Sequence, residues 1–171
     1  MAEEIGESLV GAYLRYIEGC DLVVHNTQLS KEQGEIDVLG LKLGTDAKVI
    51  FAEVTTHVLG MQYGSYESTV QKVVAKIKRA HSYAETMFPD ERPRYEIWSP
   101  VVPKGKLTDE FAALESKYSD EDLDVRFVIN EIFTNRVREL VEHAKHNSKA
   151  TSDPAYRLLQ ILVRLKGDTG L

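Results

Sequence analysis

The stretch "VIFAEVTTH", residues 49–57, sets a carboxylate, Glu53, inside an apolar run and follows it with Thr55, Thr56 and His57. An unpaired charge in a buried strand costs several kcal/mol or shifts its pKa, so Glu53 requires a partner, a metal or an exposed face. Asp37 is the candidate partner. It stands at the start of the preceding apolar run, "GEIDVLGLKLG", and the short "GTD" connection lays the two runs side by side as a hairpin. Two carboxylates held close repel, and a divalent cation is the usual compensation. Mg²⁺ takes a few carboxylate oxygens together with waters and phosphate, which is what such a pair offers. On a strand, Glu53 and Thr55 share a face while Ala52 and Val54 point to the other. His57, four residues past Glu53, falls on the Glu53 face, within reach of a phosphate or a metal-bound water. Glu35 reads as a strand-end charge.

The elements that must position these groups follow from periodicity. Apolar residues at 5, 9, 12, 13, 16 and 17 have helical spacing, and Gly19 sits where a helix ends, which predicts a first helix over 4–18. "CDLVVHNTQ" reads as a strand, and the two runs above as two more. Val70, Val73, Val74, Ile77, Ala80, Ala84 and Met87 form a stripe that marks a long amphipathic helix over about 66–87, closed by Pro89 and Pro93. "RYEIWSPVV" is a fourth strand, "KLTDEFAALESKY" a helix and "DVRFVI" a fifth strand. Residues 131–146 and 154–166 read as helices, with "KHNSKATSD" and the tail "KGDTGL" as loose segments. The strand, helix, strand order over 47–101 requires a crossover, so the sheet is mixed, with helices on its faces.

With 171 residues, 43% of them hydrophobic and 28% charged, the chain has the size and composition of a single domain over 1–171. No apolar run approaches the roughly 20 residues of a membrane span, and "MAEEIGESLV" lacks the basic start and apolar centre of a signal peptide, so a cytoplasmic protein is expected. The single cysteine, Cys20, excludes an internal disulfide framework and a cysteine-rich zinc site, and reads as a packing residue. The net charge of −6 is local, because residues 107–124 hold seven acids against Lys117 alone. "STVQKVVAKIKRAHSYA", residues 68–84, carries Lys72, Lys76, Lys78 and Arg79 and no acid, which makes that helix a candidate phosphate face. No glycine-rich phosphate loop and no nucleophile-elbow pattern is present. His143 and His146 have the i, i+3 spacing of a metal pair but sit on a polar helix end.

"GEIDVLG", fifteen residues between Asp37 and Glu53, then "EVT", after an acidic first helix and before a long one, resembles the core of the PD-(D/E)XK nuclease superfamily, which includes restriction endonucleases and Holliday-junction resolvases. The resemblance spans about residues 4–101 and extends to the strand at 124–129. It implies an α/β restriction-endonuclease-like αβββαβ core over about 4–130, with a mixed central sheet flanked by helices and extra C-terminal helices over 131–166. It further implies a DNA endonuclease in which Asp37 and Glu53 bind Mg²⁺, with Mn²⁺ as a substitute, and Val54 lends its backbone carbonyl. The family's lysine, which positions or activates the attacking water, is replaced here by Thr55. A hydroxyl carries no positive charge for the developing phosphorane. In some members the lysine moves to the neighbouring helix, and a Gln or Lys near the start of that helix joins the site, which points to Gln71, Lys72 and Lys76. Glu7 resembles the acidic residue that relatives carry on the first helix. At 100° per residue, Lys72, Lys76, Arg79 and Tyr83 gather on one flank of the apolar stripe and Gln71, Lys78 and Glu85 on the other.

Three functions are compatible with these residues. The first is a Mg²⁺-dependent endonuclease acting on DNA, with a homodimer implied where both strands are cut. The second is a nuclease-like domain that has lost catalysis and binds nucleic acid or a protein partner, which Thr55 and the acidic charge favour. The third is a protein-binding module using the acidic 107–124 segment and the C-terminal helices.

Overall fold

The computed structural model describes residues 4–29, 34–57, 60, 61 and 63–169, with side chains to Leu165. Elements alternate as α1 (Ile5–Tyr16), β1 (Leu22–Gln28), β2 (Glu35–Lys42), β3 (Lys48–Val54), α2 (Tyr66–Met87), β4 (Arg94–Ser99), α3 (Lys106–Asp120), β5 (Asp124–Ile129), α4 (Asn130–His146) and α5 (Pro154–Thr169). The chain is α/β. Five strands make one sheet among the described residues, in spatial order β1-β2-β3-β4-β5. The first three pair antiparallel, as tight connections allow, and β3, β4 and β5 pair parallel because α2 and α3 carry the chain back between them.

Each face of the sheet is covered. On one side Val49, Phe51, Tyr95, Ile97, Val125 and Phe127 pack against Val73, Ile77, Ala80 and Ala84 of α2 and Leu107 and Phe111 of α3. On the other, Val38, Ile50, Ala52, Trp98 and Val128 pack against Val10, Ala12 and Leu14 of α1, Phe133, Leu140 and Ala144 of α4, and Tyr156 of α5. The C-terminal helices are thus part of the second core. Within it Glu96, fully buried, accepts from the Trp98 indole at 2.8 Å and from Arg136 at 2.9 Å, and lies 3.0 Å from Arg94, which reaches Glu18 at 2.6 Å.

Several expectations are adjusted. The fourth strand stops at Ser99, before Pro100, because proline supplies no ladder N–H. β3 ends at Val54, so His57 lies beyond the strand, exposed, and does not share the Glu53 face. The tail predicted as loose is helical to Thr169, while Gly170 and Leu171 lie outside the described residues. In "LLQILVRL", Leu159 contributes to the second core, but Leu158, Ile161, Leu162 and Leu165 remain exposed. Cys20 is buried in packing, as its type suggests. No helix among the described residues is long and apolar enough to cross a membrane.

Candidate active site

The carboxylates of Asp37 and Glu53 meet where β2 and β3 part. The ladder pairs Val38 with Ala52, and one step further along the same register Asp37 stands opposite Glu53. There Asp37 Oδ2 accepts the Val54 N–H at 2.6 Å, so the side chain takes over a backbone donor at the strand end. Both acids are buried, Asp37 at 8% exposure and Glu53 at 4%. Thr55, at 6%, stays aligned because its N–H bonds the Trp98 carbonyl at 2.9 Å.

A cation reaches the two carboxylates from α2. Lys76 Nζ is 2.6 Å from Glu53 Oε2 and 3.8 Å from Asp37 Oδ2. The helix is held for this by Ser65, whose hydroxyl accepts the Ser68 N–H at its N-terminus, and by the buried stripe Val73, Ile77, Ala80, Ala84. That stripe turns the Lys76 flank toward the sheet. Gln71 and Lys78 are exposed on the opposite flank, away from the carboxylates. Lys72, one turn before Lys76, does not join the acids. Its ammonium lies 4.5 Å above the Tyr63 ring. Arg79, one turn beyond Lys76, lies against Gly34, whose φ of +142° and lack of Cβ allow the guanidinium to rest on the backbone just before β2. A side chain there would overlap it.

Burial pushes the Glu53 carboxyl up to about 7, with Asp37 adding to the rise and Lys76 and Arg79 opposing it. Burial works against the Lys76 ammonium as well, but the Glu53 and Asp37 charges outweigh it and hold its pKa above the ordinary lysine value. Glu53 Oε1 is left buried without a hydrogen-bond partner. The second oxygen is therefore a buried acceptor that no described residue uses.

Glu7 approaches from α1. Its Oε2 accepts the Asn26 side-chain amide at 3.0 Å, and its carboxyl is raised by burial, with the nearby Asp37 charge contributing. Asn26 stands opposite Asp37 in the β1–β2 register but drops out of the ladder with a φ of +53°, a conformation asparagine tolerates. α1 comes this close because Gly6 meets the Thr56 side chain, where a Cβ would collide.

Sequence reasoning thus located Asp37, Glu53, Thr55, Lys76 and Glu7 in one region and missed two residues. Asn26 carried a weak signal, a turn-prone residue inside an apolar strand. Tyr63 carried none, since it lies in the connection between β3 and α2. Val54 contributes its N–H to Asp37. His143 and His146 have separate partners, the Tyr156 hydroxyl at 2.5 Å and, for the exposed His146, the Glu142 carbonyl of its own helix at 2.9 Å. Glu35 accepts from Gln28 across the β1–β2 pair at 2.7 Å. Among the described residues, no group of three or more His, Cys, Asp or Glu side chains forms a metal cage. No family model, no curated protein and no solved structure matches the chain.

Proposed function

We propose that the chain is a Mg²⁺-dependent endonuclease hydrolysing DNA phosphodiesters, on a restriction-endonuclease-like core formed by α1, β1, β2, β3, α2 and β4. The observation that supports the reading is the Lys76 ammonium, 2.6 Å from Glu53 and 3.8 Å from Asp37, close enough to supply the positive charge that Thr55 cannot. The donor set suits the metal. Mg²⁺ needs only one or two carboxylates beside waters and substrate oxygens, and Glu53 Oε1 is buried with no partner of its own. When bound, the ion would supply Lewis acidity at the scissile phosphate. The chain's own residues do the rest. Asp37 and Glu53 would hold the ion, with Asp37 fixed by the Val54 N–H. Lys76 places a positive charge beside the reacting phosphate. Arg79 and Lys72, on the same helix flank, offer donors to the neighbouring phosphates of the strand. Glu7, held by Asn26, would accept from a water at the site's edge.

The test is cleavage of linear, supercoiled and branched DNA with Mg²⁺ or Mn²⁺, wild type against Asp37→Ala and Glu53→Ala. Loss of cleavage in both variants is expected, and equal cleavage would remove these residues from the mechanism. A homodimer, which cutting both strands calls for, is read by sedimentation of the same protein.

The same ion pair also favours a second reading, a nuclease-like domain without catalysis that binds nucleic acid or a protein partner. Lys76 already pairs with both acids, and Glu53 is only 4% exposed. Calorimetry decides between them. Absence of Mn²⁺ binding at millimolar concentration, with DNA retained in a salt-dependent manner, selects the binding domain.

A further inference from the structure

Tyr63 is fastened at three points, each to a different part of the site. Its backbone N–H donates to Thr69 Oγ1 at 2.9 Å and its carbonyl accepts the Ser68 hydroxyl, which pins it to the first turn of α2. Thr69 is itself fully buried and bonds the Ser65 carbonyl at 2.9 Å, so that anchor does not swing. The Tyr63 hydroxyl lies 3.1 Å from Thr55 Oγ1, one residue past the end of the strand that carries Glu53. Its ring carries the Lys72 ammonium at 4.5 Å from the centroid.

Resting on the nuclease reading above, we propose that Tyr63 is a positioning residue: it orients the Thr55 hydroxyl and holds the Lys72 ammonium, so that these two groups together meet the substrate where the lysine of position 55 is missing. Two hydroxyls that share one hydrogen bond have two O–H protons and use only one between them, so one O–H of the pair remains free to donate. Without Tyr63 the Thr55 hydroxyl would be an unrestrained rotor; with it, the donor has a fixed direction. Lys72 is an exposed, flexible ammonium unless the ring restrains it, and an ammonium over an aromatic face keeps its N–H groups available to a phosphate. Lys76 pairs with the two carboxylates, whereas Lys72 makes no ion pair with them, so Lys72 adds a substrate contact that Lys76 does not duplicate.

The roles of hydroxyl and ring separate in different variants. Tyr63→Phe keeps the ring and deletes the hydroxyl, Tyr63→Leu deletes both, and Thr55→Val deletes the partner hydroxyl. Two quantities are read: single-turnover cleavage of a duplex in Mg²⁺, and affinity for the same duplex with EDTA in place of the metal. The proposal expects Tyr63→Phe to bind in EDTA like wild type yet cleave about tenfold more slowly, and Tyr63→Leu to bind about threefold to fivefold more weakly as well. Thr55→Ser should retain the rate, and Tyr63→Phe combined with Thr55→Val should be no slower than Thr55→Val alone, because the tyrosine hydroxyl acts through the threonine. Cleavage by Tyr63→Phe at the wild-type rate, or losses that multiply in the double variant, would overturn the role of the hydroxyl pair. Equal EDTA affinity of Tyr63→Leu and Tyr63→Phe would overturn the role of the ring; should Tyr63→Leu not fold, Lys72→Met carries that comparison. If wild type neither cleaves nor binds Mn²⁺, the nuclease reading falls with the hydroxyl role, while the EDTA comparison still decides the Lys72 contact.

Discussion

At the scale of single residues, the site is governed by how three charges share a small buried volume. Glu53 sits against its own desolvation, and Lys76 offsets only part of it, so the carboxyl is pushed up to about 7. The sign of the pH effect follows. Between about 4.5 and 7 the folded chain keeps a proton that the unfolded chain has released, so stability falls as pH rises through that window and levels off above it. Thermal melts of wild type against Glu53→Gln from pH 4 to 8 should show the two curves diverging in that direction. Metal binding needs the carboxylate form, so Mn²⁺ affinity should rise with pH through about 7. Lys76→Met removes the only cation within 4 Å of both acids among the described residues. Cleavage should fall about a hundredfold in quench-flow assays, and the Glu53 carboxyl should titrate higher still. Retained activity in Lys76→Met would sink the idea that this lysine has moved from strand to helix.

At the scale of elements, the precision of the site depends on two close approaches and one cap. α1 reaches the exit of β3 at Gly6, where the Thr56 side chain fills the space of a Cβ. Gly6→Ala should force the helix away, lower stability by about 1–3 kcal/mol and pull Glu7 off Asn26; denaturant melts and the amide chemical shift of Asn26 report both. α2 begins at Ser65, whose hydroxyl accepts the Ser68 N–H at 3.1 Å. Ser65→Ala should cost about 1 kcal/mol of stability and loosen the turn that carries Thr69 and Tyr63. The existence and length of α2 were legible in its apolar stripe, and its observed limits, Tyr66–Met87, agree with that reading. Its rotation was not legible. Either flank of the stripe, that of Lys72, Lys76 and Arg79 or that of Gln71, Lys78 and Glu85, could have faced the sheet edge on the sequence alone, and only the packing of Val73, Ile77 and Ala80 turned Lys76 inward and left Gln71 and Lys78 outside. His57 failed for a related reason: alternation along a strand holds only while the strand lasts, and β3 releases its chain at Val54.

At the scale of the whole molecule, two polar systems lie on opposite faces of the sheet. Asp37, Glu53 and Lys76 face α2, and Glu96 with Arg94 and Arg136 faces the second core. The second system has the character of a structural device. Arg136 lies over both Tyr13 and Trp98, 5.0 and 4.8 Å from their ring centroids, and Tyr13 in turn donates to Glu139 at 2.8 Å. Glu96→Ala would leave the largely buried Arg136 guanidinium without its carboxylate and Arg94 with Glu18 alone, and should destabilise the fold by about 3–5 kcal/mol without altering Mn²⁺ affinity, by melts and calorimetry. The charge of the molecule is likewise divided. The acids of 107–124 belong to α3, the turn after it and the start of β5, away from the α2 flank that holds Lys72, Lys76 and Arg79. DNA affinity should therefore fall with salt with a log–log slope of about −2 to −3, as for two or three phosphate contacts, despite the net charge of −6.

The sequence by itself determined the order of helices and strands, the mixed sheet, and the neighbouring of Asp37 and Glu53. Local periodicity and a short hairpin connection dictate these without reference to the rest of the chain. Which cation meets the carboxylates, how α1 delivers Glu7, and that a loop tyrosine reaches Thr55 were decided only by the tertiary structure. Those outcomes depend on helix rotation, on a glycine that permits contact between distant elements, and on a connection whose path no repeating pattern encodes. Thr55 marks the boundary between the two: its type left open which cation stands beside the acids, and the packing of α2 brought Lys76 there.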